Sequence, residues 1–221
     1  MRNLSNRENE RIHRQRAARR GMMLGFFALS LLGTNAALAT GDVDRGEAKS
    51  LTCAACHGSD GNSTNPEWPS LAGQHEKYLA LTLHAYQDGS RNDVLMSSQS
   101  ATLSDEDIED VAAYFSAQRR TLRTADPALV SLGERVYRGG NFDREISACI
   151  GCHGPSGRGN PGSAYPSLAG QHATYTTNQL LKYRSNERQS DARLNQVMRN
   201  IAARLTEDEI KAVASYIQGL Q

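Results

Sequence analysis

Two pentapeptides in this 221-residue chain set two thiols and an imidazole at a fixed spacing: Cys53-Ala54-Ala55-Cys56-His57 and Cys149-Ile150-Gly151-Cys152-His153. Thiols so spaced can add across the two vinyl groups of a haem, and the adjoining imidazole is then placed to ligate the iron. Cys-x-x-Cys-His is therefore the attachment signal of c-type haem. The chain has four cysteines, and two covalently bound haem c groups would consume them all. A redox dithiol of the thioredoxin kind wants a βαβ setting, and no strand-rich pattern surrounds either pair. A single tetrahedral zinc site would require pairs 96 residues apart to converge, and would leave both histidines without a role. Disulfides within the pairs would join cysteines three apart, which make poor partners.

An iron held by one histidine keeps an open face, and what closes it separates an electron carrier from an enzyme. Beyond residue 39 the chain has two methionines, Met96 and Met198, lying 39 and 45 residues after His57 and His153. Each stands seven residues before an equivalent leucine, Leu103 or Leu205. Methionine is ordinarily core filler. Two at matching stations of a repeat read instead as axial ligands, opposite His57 and His153. His75 and His172 are equally well repeated and are the rival ligands, whereas His84 has no counterpart and reads as a helix-surface residue.

The repeat sets the architecture that must position these groups. Pro69-Ser70-Leu71-Ala72-Gly73-Gln74-His75 returns unchanged as Pro166-Ser167-Leu168-Ala169-Gly170-Gln171-His172, an offset of 97. Tyr78, Tyr86 and Arg91 return at that offset as Tyr175, Tyr183 and Arg188, and Leu103-Ser104-Asp105-Glu106-Asp107-Ile108 returns as Leu205-Thr206-Glu207-Asp208-Glu209-Ile210 at 102. Extra residues in the second copy explain the drift, and a further insertion precedes its cysteines around Gly139–Phe142. Ser104 with Asp107, and Thr206 with Glu209, resemble capping boxes. Ile108, Val111, Ala112 and Phe115, like Ile210, Val213, Ala214 and Ile217, follow helical spacing and mark one buried face. A second helix is expected from each Gln-His pair through Tyr86 or Tyr183, and a short one leading into each haem motif. Modules this small would have thin cores, which a buried haem would thicken.

The first 20 residues carry seven arginines against Glu8 and Glu10. An apolar run to Leu32 and the small-x-small sequence Ala37-Leu38-Ala39 follow. The pattern reads as a secretory signal over residues 1–39. A nucleic-acid-binding arm has no use for the apolar run, so no nucleic-acid partner is expected. The run is also shorter than the ~20 residues that span a bilayer. Export suits covalent haem attachment, which is completed outside the cytoplasm. The expected domains are residues 40–124 and 125–221. The first holds 7 basic and 13 acidic residues and the second 11 and 9, giving −6 and +2. That asymmetry would steer different partners to different ends.

The paired Cys-x-x-Cys-His modules, the repeated Pro-Ser-Leu-Ala-Gly-Gln, and the methionines before the capped helices resemble the dihaem cytochrome c4 family over essentially the whole exported chain. The resemblance implies an all-α fold: two tandem cytochrome c-like helical domains related by a pseudo-twofold axis, with haem propionate edges close together. It implies histidine–methionine ligation at both irons. It also implies a monomeric periplasmic electron carrier linking a quinol-oxidising complex or other donor to a terminal oxidase, with peripheral association with the membrane left open. Pro69 and Pro166 match the proline whose carbonyl accepts a hydrogen bond from the ligating histidine, with a plain turn role as the alternative. Tyr78, Arg91, Tyr175 and Arg188 are candidate propionate partners, with helix-face packing as the alternative. An enzyme with one open iron, a peroxidase or thiosulfate-oxidising cytochrome, is the competing class, as is a tethered subunit of a membrane oxidoreductase.

Overall fold

The computed structural model describes residues 41–221, so the expected export signal lies outside the described residues. The N-terminal module is built from α1 (Val43–Lys49), α2 (Leu51–His57), α3 (Glu76–Gln87), α4 (Val94–Ser100) and α5 (Asp105–Ala117). The C-terminal module repeats the order with α6 (Pro127–Gly139), α7 (Ile150–His153), α8 (Ala173–Arg184), a 3-10 turn (Ala192–Leu194), α9 (Val197–Ala202) and α10 (Glu207–Gln218). Among the described residues there are isolated β-bridges but no strand.

The last helix of each module starts where its cap dictates. Ser104 accepts from the Asp107 N–H while the Asp107 carboxylate accepts from the Ser104 N–H, and Thr206 and Glu209 do the same at α10. Three acidic residues in each first turn favour the positive end of the helix dipole. Both apolar stripes are buried, and each forms the spine of its module's core. Against these helices pack α3 and α8, which open directly after His75 and His172 and include Tyr86 and Tyr183.

Sequence periodicity foresees only a short helix before each haem motif. The structure places the motifs on helices of their own, α2 and α7, and adds an N-terminal helix that crosses the C-terminal one in each module: α1 on α5 and α6 on α10. The crossing residues are Gly46 and Gly133, whose Cα atoms lie against the backbone of the facing helix. A contact made by glycine contributes no apolar residue to the pattern, which hides these helices from a hydrophobic count. Gly46 lies seven residues before Cys53 but Gly133 sixteen before Cys149, so the second-copy insertion falls between crossing and motif. The inserted turn closes with reciprocal Asn141 and Ile146 backbone hydrogen bonds, and Arg144 ties it to Glu209 and to the Arg204 carbonyl. Among the described residues no helix is long and apolar enough to cross a membrane.

Candidate haem-binding sites

Each motif ends in the same turn. Gly58 and Gly154, directly after the histidines, have φ of 81° and 76°, a region that glycine enters without steric cost, and the chain reverses there. Tyr114 donates to the Ser59 carbonyl at 2.7 Å in the first module, and Tyr137 donates to the Gly154 carbonyl at 2.7 Å in the second. Two different helices thus supply one anchoring hydroxyl to equivalent loops.

The imidazoles are buried and fixed. His57 Nδ1 donates to the Pro69 carbonyl at 2.8 Å and His153 Nδ1 to the Pro166 carbonyl at 3.0 Å. Burial pushes both histidines below their ordinary pKa, against the pull of the proline carbonyls, so the rings are held neutral. With Nδ1 engaged, each Nε2 lone pair is available to a metal, and neither Nε2 has a hydrogen-bond partner among the described residues. All four thiols are unpaired. Burial raises Cys53 and pushes Cys149 up to about 11, so neither of these two thiols is poised as a thiolate. Nor do the pairs converge, since no group of three or more His, Cys, Asp or Glu among the described residues could cage a metal ion.

Met96 and Met198 are both half-buried, on α4 and α9. Asp93 caps α4 and accepts from the Met96 N–H, while Met198 packs on the same apolar cluster as Cys149, Ile150 and Leu168. The rival ligands face elsewhere. His75 Nε2 donates across the seam between the modules to the Arg158 carbonyl at 2.7 Å, and His172 Nε2 to the Ser63 carbonyl at 2.8 Å.

Tyr78, Arg91, Tyr175 and Arg188 meet crosswise at that seam. Arg91 donates to the Tyr175 hydroxyl at 2.7 Å and Arg188 to the Tyr78 hydroxyl at 3.0 Å, and both reach Gln179 Oε1. Each guanidinium also lies over a ring of its own module, Tyr86 at 4.7 Å and Tyr183 at 4.6 Å. The two arginines are only 4% and 5% exposed, yet neither pairs with a carboxylate among the described residues. Burial alone would raise the Tyr78 hydroxyl, but the Arg188 and Arg91 charges outweigh it and bring it down to about 8. An uncompensated positive field of this kind suits an anion such as a haem propionate. Free thiols, neutral imidazoles with an open nitrogen and buried cations without counter-ions together fit a haem c in each module.

The seam has further parts that motif reading overlooks. The Gln74 amide both donates to the Ser167 carbonyl (2.8 Å) and accepts from its N–H (2.9 Å), and Gln171 makes the same pair with Ser70 at 2.9 and 3.0 Å. From the linker, Arg120 binds the Ser167 hydroxyl and the Gly73 carbonyl, while Arg123 binds the Gly170 carbonyl and the Ser70 hydroxyl. One signal for these residues was present in the sequence. The longest unchanged stretch of the repeat is Pro-Ser-Leu-Ala-Gly-Gln-His, and identical residues are what a twofold contact requires.

The family model for cytochrome c matches this chain twice, over residues 43–118 and 131–221. Cytochrome c4 of Pseudomonas aeruginosa is 46% identical across 87% of this chain and 95% of that protein. The chain belongs to the cytochrome c4 family. The crystal structure of reduced recombinant cytochrome c4 from Pseudomonas stutzeri superposes with a TM-score of 0.79 at 45% identity, covering 82% of this chain and all of that one. A protein named thiosulfate dehydrogenase electron acceptor, from Stutzerimonas stutzeri, is 36% identical over 75% of this chain and 77% of its own length. As a member of the cytochrome c4 family the chain is a dihaem electron-transfer cytochrome, with two tandem cytochrome c domains and two covalently bound haem c groups.

Proposed function

We propose that this protein is an exported, periplasmic carrier of single electrons between a respiratory donor, such as a quinol-oxidising complex, and a terminal oxidase, and that it is not itself an enzyme. The domains are residues 40–124 and 125–221, released by cleavage after Ala39. Cys53 and Cys56, with Cys149 and Cys152, hold the haems covalently. His57 with Met96, and His153 with Met198, would hold the two irons. The observation that carries this reading is that a proline-held imidazole recurs in both modules, and that a methionine recurs in each at an equivalent station before a capped helix.

Each haem supplies a one-electron ferric/ferrous couple when bound. The residues of the chain do the rest. Pro69 and Pro166 fix the imidazole planes and raise their basicity. Met96 and Met198 would hold each iron together with its histidine and so exclude oxygen and peroxide, and a thioether favours a higher potential than a second imidazole would. The apolar clusters around Cys53 and Cys149 exclude water. Arg91 and Arg188, with Tyr78 and Tyr175, are placed to neutralise propionates at the seam. None of these groups acts as an acid, base or nucleophile.

The charges of −6 and +2 on the two domains support separate docking ends for donor and acceptor. A second reading of the donor rests on the relative named as an acceptor for thiosulfate dehydrogenase: here too the electrons would come from a thiosulfate-oxidising enzyme. The test is a visible spectrum of the purified protein, oxidised and reduced, with and without carbon monoxide. Expected are a methionine–ferric charge-transfer band and no response to carbon monoxide. A shifted Soret band would mean an open iron and would overturn the carrier reading. Stopped-flow reduction by quinol-oxidising membranes and by a thiosulfate dehydrogenase would separate the two donors.

A further inference from the structure

The hydrogen bond that holds each axial histidine does not end at the proline. Pro69 contributes the carbonyl, and Ser70 the N–H, of one and the same peptide group. His57 Nδ1 donates to the carbonyl at 2.8 Å, and the N–H on the far side donates at 3.0 Å to Oε1 of Gln171, in the other module. The mirror arrangement is complete. His153 Nδ1 donates to the Pro166 carbonyl at 3.0 Å, and the Ser167 N–H donates to Oε1 of Gln74 at 2.9 Å. The amide orientations are unambiguous, because each Oε1 also accepts the next backbone N–H, of His75 or His172, while each Nε2 faces a serine carbonyl. Ser70, Ser167 and Gln74 are buried, which keeps water from competing for these bonds.

We propose that Gln171 and Gln74 are positioning residues that act across the seam, each setting the imidazole basicity, and so the reduction potential, of the haem in the opposite module. A peptide whose N–H is hydrogen-bonded is polarised, and its carbonyl becomes a stronger acceptor. A stronger acceptor on Nδ1–H makes Nε2 a better donor to the iron, and a more basic ligand favours the ferric state. Each module's potential therefore depends on the other module being docked. The proposal rests on reading His57 and His153 as iron ligands.

The test uses the full-length holoprotein. Gln171→Leu and Gln74→Leu are each titrated spectroelectrochemically, with the haems distinguished by the NMR signals of their axial methionine methyls. Gln171→Leu is expected to raise the potential of the N-terminal haem, and Gln74→Leu that of the C-terminal haem, each sparing its own module. A shift confined to the variant's own module, equal shifts in both, or no shift would overturn the relay. Should a variant fail to accumulate with haem, the labelled wild-type ferrous protein provides the second readout. A through-hydrogen-bond coupling between the Ser70 amide nitrogen and the Gln171 side-chain carbonyl carbon is expected, and its absence overturns the proposal. A wild-type spectrum without histidine–methionine ligation would overturn both this and the ligand reading. An intact spectrum with unmoved potentials would overturn the relay alone.

Discussion

Gly133 packs so closely on Ala212 that a Cβ built on the glycine would stand 2.3 Å from the Ala212 carbonyl oxygen. In the first module Gly46 stands in the same relation to Asp110, at 2.0 Å. Both obstacles are helix backbone, so neither can rotate aside as a side chain would. Gly133→Ala should therefore cost at least the about 1–3 kcal/mol of ordinary overpacking, seen as a lower denaturant midpoint for the holoprotein. Gly139, on the same helix with open space around it, is the control. Gly139→Ala should leave the midpoint unchanged or raise it, for a stabilisation of about 0.4–1 kcal/mol. Equal effects at the two positions would argue against a crossing at Gly133.

Removing one methionine should open one iron only. Met198→Ala is expected to abolish about half of the methionine–ferric band intensity and to let carbon monoxide bind one haem per chain, with Met96→Ala doing the same at the other. Carbon monoxide titration gives the count. A variant that keeps both bands would remove that methionine from the ligand set.

The crosswise arginines predict a change of potential. Arg188→Leu deletes a buried positive charge, which should favour the ferric state and lower a haem potential by tens of millivolts, on a scale where about 59 mV is tenfold for one electron. Spectroelectrochemical titration reads it directly. Unmoved potentials would leave Arg188 with its seam contacts alone, over Tyr183 and to Tyr78 and Gln179.

Acid should loosen α5 at its first turn. The Lys49 ammonium and then the Ser104 cap hold the Asp107 carboxyl down to about 2, against about 3.9 in an unfolded chain. A depressed native pKa means the contribution is fully present above about pH 4 and is lost as pH falls toward 2. Asp107→Asn should therefore destabilise the protein at neutral pH and converge on the wild type in that acid window. A stability gap that persists at pH 2 would assign the effect to something other than the carboxylate.

The parts of the fold that bury side chains at regular spacing were legible in the sequence. The stripes from Ile108 and Ile210, their capping boxes, and the helices opening after the Gln-His pairs all lie where periodicity put them. A short helix leading into each haem motif was foreseen, but the crossings of α1 on α5 and α6 on α10 were not, because their key contact is made by an absent side chain. The seam was half legible. The repeat pointed to Tyr78, Arg91 and their partners, but no spacing rule says that a residue pairs with its counterpart's neighbour in the other module. Gln74 and Gln171 carry no chemistry by type, so only their backbone partners reveal what they hold.

The glutamine–serine contact is complementary to itself, since each module brings one amide and one serine peptide and receives the same from the other. A lone module of this design would present a face that a second copy of itself could fill. The chain is thus a dimer in geometry and a monomer in covalent structure. Joining the halves relieves each of the need to stay identical: away from the shared seam, one can lengthen its loops, as at Asn141–Ile146, and the other can gather negative charge. Two unlike ends can then evolve around a centre that symmetry keeps fixed.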